Sequence, residues 1–387
     1  MIHKADRLAQ VSEYYFSKKL REVRSLIAQG KPIINAGIGS PDLQPPTEVV
    51  EAMNLALNES SIHGYQSYQG LPELRESFSK FYANQYGVTL NSDNEVLPLM
   101  GSKEGIMHIS MAFLNEGDEV LIPNPGYPTY SSVTQLLRAK PVYYNLEEEN
   151  HWFPNLKDLA QNDLTKVKLM WINYPHMPTG ALADKKQLKA LVDFAKTHQI
   201  LLINDNPYSF ILNDHPTSIL TVEGAKEVAL ELNSLSKTFN MAGWRVGMVA
   251  GAQEHIQAIL QVKSNMDSGM FYGIQKGAIA ALNMASDWFK KMNLIYEKRR
   301  ALAWQIFDAL GCSYQKDSAG LFVWAHIPNG FTSEEFADRL LYDLDVFMAP
   351  GTVFGSKGEG YIRLSLCLSE EKLSQILNRV LNSKLDG

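Results

Sequence analysis

Near the start of the chain, apolar residues recur at helical spacing at Phe16, Leu20, Val23 and Ile27, and Gly30 and Pro32 follow them. That period and the two breakers predict one helix that stops before residue 30. Between about Glu95 and Gly251 short apolar runs alternate with helical ones. EVLPLM leads into GSKEGIMHISMAFL and DEVLIP into YPTYSSVTQLLR; VKLMWINYP precedes KKQLKALVDFAKTH, and ILLINDNPY and VALELNS follow. This alternation predicts an α/β domain on a mostly parallel sheet. Beyond Gly251, long helical patterns give way to LFVWAHI, VFMAPG and YIRLSL, strand-like runs separated by helices and loops. They predict a second, smaller α+β domain. There is no internal repeat, and the acidic run Glu147 to Glu149 reads as a solvated loop.

Ligands of open α/β sheets sit beyond the carboxyl ends of the strands. Gly101-Ser102, Asn124 to Tyr127, Asn173 to Gly180, Asp205 to Tyr208 and Lys237 all fall at such ends. Composition narrows the partners. The 387 residues are 45% hydrophobic and 20% charged, as in an ordinary globular protein. The net charge of -6 and the lack of a long basic run argue against nucleic acid. No apolar run approaches the roughly 18 residues of a membrane span. Cys312 and Cys367 lie far apart, without metal-ligand spacing, and MIHKADRLAQVSEYYF lacks the apolar core of a signal peptide. The expectation is a cytoplasmic protein with no metal.

The most telling stretch is NSLSKTFNMAGWRVG, from Asn233 to Gly247. Lys237 stands behind Ser234 and Ser236, Arg245 follows, and no acidic residue accompanies them. The pattern suits an amine kept for chemistry beside an anion held by hydroxyls and a guanidinium. GSKEGIMH opens a helix whose free N–H groups bind anions, although alone it reads more readily as a tight turn. Asp205 in INDNPY either caps a following helix or pairs with a cationic ring nitrogen. Tyr127 in PNPGYPTY either packs on the sheet or stacks on a planar ring. Arg363, within the strand pattern YIRLSL, needs an anion, supplied by a ligand or by an internal salt bridge. Tyr65 and Tyr68, ahead of a helix, read as packing. A phosphate, an aldehyde awaiting an amine, a pyridine ring and a carboxylate together describe what pyridoxal phosphate and an amino acid require.

At these residues the chain resembles a class I/II aminotransferase of the pyridoxal-phosphate fold type I family. SLSKTFNMAGWRVG, YPHMPTG, NDNPY, NPGYPTY, YQGLPELR, GSPDLQPP and YIRLSL occur in the family's order over nearly the whole chain. VKSNMDSGMFYGIQKGAIAAL resembles the branch that holds LL-diaminopimelate aminotransferases. The resemblance implies a large domain with a mostly parallel seven-stranded sheet over 45–285, a small α+β domain over 286–387, and an N-terminal arm, 1–44, joining the small domain. It implies that Lys237 bonds the cofactor aldehyde and shuttles the proton. Ser234, Ser236 and Arg245 then hold the phosphate, with Ser102 and Lys103 acting through their N–H groups. Tyr127 stacks on the ring, Asp205 meets its nitrogen and Tyr208 its oxygen. Arg363 and Gly39 take the substrate carboxylate, and Tyr65 reaches the phosphate of a neighbouring subunit in a homodimer with shared sites. The implied activity moves an amino group between an L-amino acid and a 2-oxo acid by a ping-pong route. A β-lyase on the same fold is an alternative; a non-catalytic cofactor-binding module is another, disfavoured by the full catalytic set.

One position departs from the family. Most members read Asn-Pro-Thr-Gly where this chain has Met177-Pro178-Thr179-Gly180. A thioether cannot donate the asparagine's hydrogen bond. Asn173 either takes over that role at the cofactor or serves as a turn residue before Pro175. The aromatic segments around Tyr14, Tyr15, Phe271 and Tyr272 suit either a neutral substrate side chain or simple packing.

Overall fold

The computed structural model describes residues 2–10, 15–60, 62–284 and 287–383. Seven strands form the main sheet: β1 (Val96–Leu99), β2 (Glu119–Asn124), β3 (Lys140–Asn145), β4 (Val167–Ile172), β5 (Leu201–Asp205), β6 (Ala229–Ser234) and β7 (Gly247–Ala250). Their order is β1-β7-β6-β5-β4-β2-β3, with only β7 antiparallel to its neighbours. Because side chains alternate along a strand, the strands feed two cores. Leu97, Leu99, Val120, Ile122, Leu169, Trp171, Leu230 and Leu232 enter one. Val96, Leu121, Met170, Ile172, Leu202 and Ala229 enter the other. Five of the seven strands follow the apolar runs seen in the sequence. The edge strand β3 and the four-residue β7 escaped them.

The helix Lys185–His198 starts on a capping box, in which Asp184 accepts from the Gln187 N–H and the Gln187 side chain returns to the Asp184 N–H. The helix Tyr15–Ala28 ends before Gly30, whose φ of +88° stops the turn. Four short strands, in the order Ala349–Pro350, Tyr361–Ser365, Phe322–His326 and Ser313–Tyr314, form the second sheet. The helices Asp287–Ala309 and Glu370–Asn382 pack against each other beside it. Near the N-terminus, Ile34–Asn35 pairs in parallel with Val346–Phe347, and Lys19 forms a 2.7 Å ion pair with Asp338. The acidic run is no free loop. Glu148 accepts from Tyr361 at 2.8 Å and Glu147 pairs with Lys357 at 2.9 Å, so it fastens the two sheets' regions together. No helix among the described residues is long and apolar enough to cross a membrane.

Candidate active site

The carboxyl ends of β1, β2, β4, β5 and β6 share one edge of the sheet, and a cavity of about 600 Å³ opens there. Antiparallel β7 begins at that edge, which returns Arg245 to the site just after Ser234 has left it. Gly39, Ser102, Lys103, Tyr127, Asn173, Asp205, Tyr208, Ser234, Ser236, Lys237, Arg245 and Arg363 all line the cavity. Tyr65 does not: it lies elsewhere, 93% exposed. Phe271 is 41% exposed and Tyr272 donates to Glu59 at 2.6 Å, and neither lines the cavity. Tyr14 falls outside the described residues.

One end of the cavity is a polar cup. Ser234 Oγ donates to Ser236 Oγ at 2.8 Å, and Arg245 Nη1 donates to Ser236 Oγ at 3.4 Å and to the Ala242 carbonyl at 2.9 Å. Gly101, at φ +90°, precedes the helix Ser102–Phe113. A Cβ on Gly101 would overlap the Arg245 guanidinium, so only glycine lets that cation lie against the helix start. A helix N-terminus, two hydroxyls and a guanidinium make a fitting cup for a phosphate.

Asp205 ends β5 and is 5% exposed. It precedes no helix, so the capping role is not what the structure shows. Oδ2 accepts from Tyr130 at 2.8 Å, while Oδ1 is buried with no hydrogen-bond partner among the described residues. Burial pushes the carboxyl up to about 7, against the pull of the Tyr130 hydrogen bond. An orphaned buried oxygen at this place suits a cationic ring nitrogen. The shift also sets an expectation for the cofactor-free protein. An acid raised in the folded state contributes stability below its unfolded value near 4, and that contribution is lost as the pH climbs towards 7. Asp205→Asn should therefore gain stability over the parent by about 3 kcal/mol between pH 5 and pH 8, read by urea unfolding of both proteins. A difference that stays flat with pH would mean the carboxyl is not held up.

Lys237 donates its Nζ hydrogen to the Gly39 carbonyl. Burial lowers its ammonium below the usual lysine range, and the charges of Arg363 and Arg245 push the same way. Tyr127 meets Tyr130 edge-on at 5.6 Å, and Tyr130 in turn stacks on Trp171 at 4.8 Å. Tyr208 is buried, which raises its phenol above the ordinary range.

Arg363 is 5% exposed. It has no carboxylate partner among the described residues, so the internal salt bridge is not found. Its guanidinium lies between Phe322 and Phe354, 3.9 and 4.5 Å from the ring centres. Nη2 donates to the Gly37 carbonyl at 2.7 Å, Nη1 lies 3.3 Å from the Met177 sulfur, and Nε is buried without a partner among the described residues. Burial lowers its pKa to about 10, which still leaves a cation at neutral pH. Both ends of the Asn173 side chain meet the backbone. Nδ2 donates to the Asp205 carbonyl, and Oδ1 accepts from the Met177 N–H at 2.7 Å. Elsewhere, Glu104, His108 and Asp267 bring ligand-type atoms within 4.8 Å of one another. Lys263 already supplies Asp267 with a cation at 3.0 Å.

Tyr130 was not legible as a site residue. Its one signal is a position three residues beyond Tyr127, which puts both on one side of the helix entry.

The family model for aminotransferase class I and II matches residues 31–380. The LL-diaminopimelate aminotransferase of Dehalococcoides mccartyi is 41% identical over 383 residues, 98% of each chain. Its namesake in Aquifex aeolicus is 38% identical over the full length of both. Among solved structures, substrate-bound BacF from Bacillus subtilis superposes with a TM-score of 0.94 at 37% identity, covering 98% of each chain. A Thermus thermophilus aspartate aminotransferase mutant gives 0.92 at 26% identity, covering 98% of this chain and 99% of its own. With its orphaned acid, its phosphate cup and its buried lysine in place, the chain belongs to the class I and II aminotransferases and is a pyridoxal-phosphate-dependent transaminase.

Proposed function

We propose that the donor is an L-amino acid with a neutral, apolar or aromatic side chain, and that the enzyme works as a cytoplasmic homodimer by a ping-pong route. The observation that carries the donor class is the apolar part of the cavity wall. Met177, Phe322 and Phe354 lie against Arg363, and Phe16 and Val353 line the same cavity. Among the described residues, the Lys and Arg side chains that line the cavity are Lys103, Lys237, Arg245 and Arg363. In this reading each faces the phosphate, the cofactor aldehyde or the α-carboxylate. None is left for a distal charged group such as the far end of diaminopimelate, the substrate named for the two relatives above.

Bound pyridoxal phosphate supplies an aldehyde that exchanges amines and a ring that accepts the electron pair of the broken Cα–H bond. The chain's own residues direct that chemistry. Ser234, Ser236, Arg245 and the N–H groups of Ser102 and Lys103 hold the phosphate. Tyr127 covers the ring, and Asp205 stays ionised against the ring nitrogen. Tyr208 donates to the ring oxygen. Asn173 fixes the turn that carries Met177. Arg363 turns two parallel N–H groups to the substrate carboxylate, helped by the backbone at Gly39, and this aims Cα–H at Lys237. Its lowered pKa lets the Lys237 amine take the proton as a base and return it as an acid.

Three supports stand behind the rest. The 93% exposure of Tyr65 suits a residue that acts across a subunit boundary. Cys312 and Cys367 are free and buried, which suits a reducing compartment. The contacts of Ile34–Asn35 and Lys19 favour an arm, 1–44, that joins a small domain, 286–387, beside a large one, 45–285; the boundary residues 285 and 286 themselves fall outside the described residues. A donor panel under single-turnover conditions tests the donor class. Phenylalanine, leucine or methionine should convert at least about tenfold faster than LL-diaminopimelate, the discrimination a hydrophobic pocket gives. Faster conversion of LL-diaminopimelate would overturn the donor class and leave the transaminase reading intact.

A further inference from the structure

We propose that Glu231 is a positioning residue for the cofactor site, acting through a buried hydrogen-bond chain that ends at the Ser234 N–H. Glu231 sits on β6, three residues before Ser234, and is wholly inaccessible. An isolated carboxylate there would be costly. Burial does push its carboxyl up, and donors oppose that push. The Ile219 N–H donates at 2.8 Å, Tyr82 at 3.1 Å, Asn204 at 3.2 Å and Asn206 at 3.3 Å.

The chain's direction follows from what each group can give. Tyr82 has one hydroxyl hydrogen, and it goes to Glu231. The Tyr82 oxygen can therefore only accept from Asn233 Nδ2, which it does at 3.0 Å. That fixes which way round the Asn233 amide lies, and its Oδ1 accepts from the Ser234 N–H at 2.7 Å. Ser234 then presents its hydroxyl to Ser236, inside the phosphate cup. A second arm leaves Glu231 through Asn204 and Asn206, the residues on either side of Asp205. Asn204 Oδ1 also accepts from the Tyr174 N–H at 3.1 Å. One carboxylate thus orders both the cup and the strand end that carries the ring-nitrogen acid.

Glu231→Gln replaces an acceptor with a donor, so at least one of its donors loses its partner. Tyr82→Phe cuts the arm to Ser234 while keeping the ring in place, and serves if the first variant folds poorly. Both variants and their double mutant are to be stripped of cofactor and retitrated with pyridoxal phosphate, with thermal unfolding of the cofactor-free forms alongside. Each single variant should bind pyridoxal phosphate about tenfold more weakly or worse, the equivalent of about 1.4 kcal/mol. The double mutant should lose much less affinity than the product of the two, because both cut one chain. Glu231→Asp, which keeps the charge, should recover part of the affinity. Unchanged affinity in Tyr82→Phe, or a purely multiplicative loss in the double mutant, overturns the proposal even if melting temperatures fall.

Discussion

A Lys237→Ala enzyme is expected to transaminate about four orders of magnitude more slowly than the parent, yet still to bind pyridoxal phosphate. In the proposed mechanism the substitution removes the amine that bonds the cofactor aldehyde and carries the proton. The cup does not depend on that amine. Ser234, Ser236 and Arg245 hold one another through hydrogen bonds in which Lys237 takes no part. Steady-state assays and retention of the cofactor absorbance after desalting read the two halves separately. Steady-state turnover near the parent's rate in a pure preparation would strip Lys237 of its role. The same variant also tests the proposed homodimer. Mixed with Tyr65→Phe subunits it should regain activity beyond the sum of the two, because each mixed pair holds one intact site. This requires that subunits exchange and that Tyr65→Phe is itself impaired.

Asp205→Ala should slow the amino-acid half-reaction by about 10²- to 10³-fold, the scale of losing one preorganised charge at a developing charge. The loss belongs to the chemical step and not to the fold. In the cofactor-free protein at pH 8, removing a carboxylate that burial disfavours should not destabilise, whereas a structural acid would. The half-reaction is followed by stopped-flow absorbance under single turnover. Equal rates in variant and parent would reduce Asp205 to an acceptor for Tyr130.

Much of this site can be read from the sequence because its parts sit in short segments with an unusual composition. Lys237 among serines, Asp205 after an apolar run and Arg363 inside one each break a local pattern. The helix Lys185–His198 was legible for the opposite reason, since its period and caps agree. What was hidden has partners far along the chain. Tyr130 meets Asp205 across 75 residues and Tyr82 meets Glu231 across 149. A lone tyrosine in a helix looks like packing until that distance is closed. Glu231 hides differently. In VALELNS it reads as the solvent side of an alternating strand, but helices cover both faces of the sheet. β3 was missed because its edge position leaves polar residues among its apolar ones.

The separations along the chain also bear on how the enzyme assembles. Arg245 reaches Ser236 across nine residues, whereas Arg363 reaches the Gly37 carbonyl across 326. Loop-closure entropy grows with the logarithm of length, so the longer closure costs about 3 kcal/mol more. Local contacts form first in a folding chain. The strand-turn-strand unit around Ser234 and Arg245 can therefore gather the polar cup proposed for the phosphate while the contact of Arg363, proposed for the carboxylate, still waits for the two ends of the polypeptide to meet.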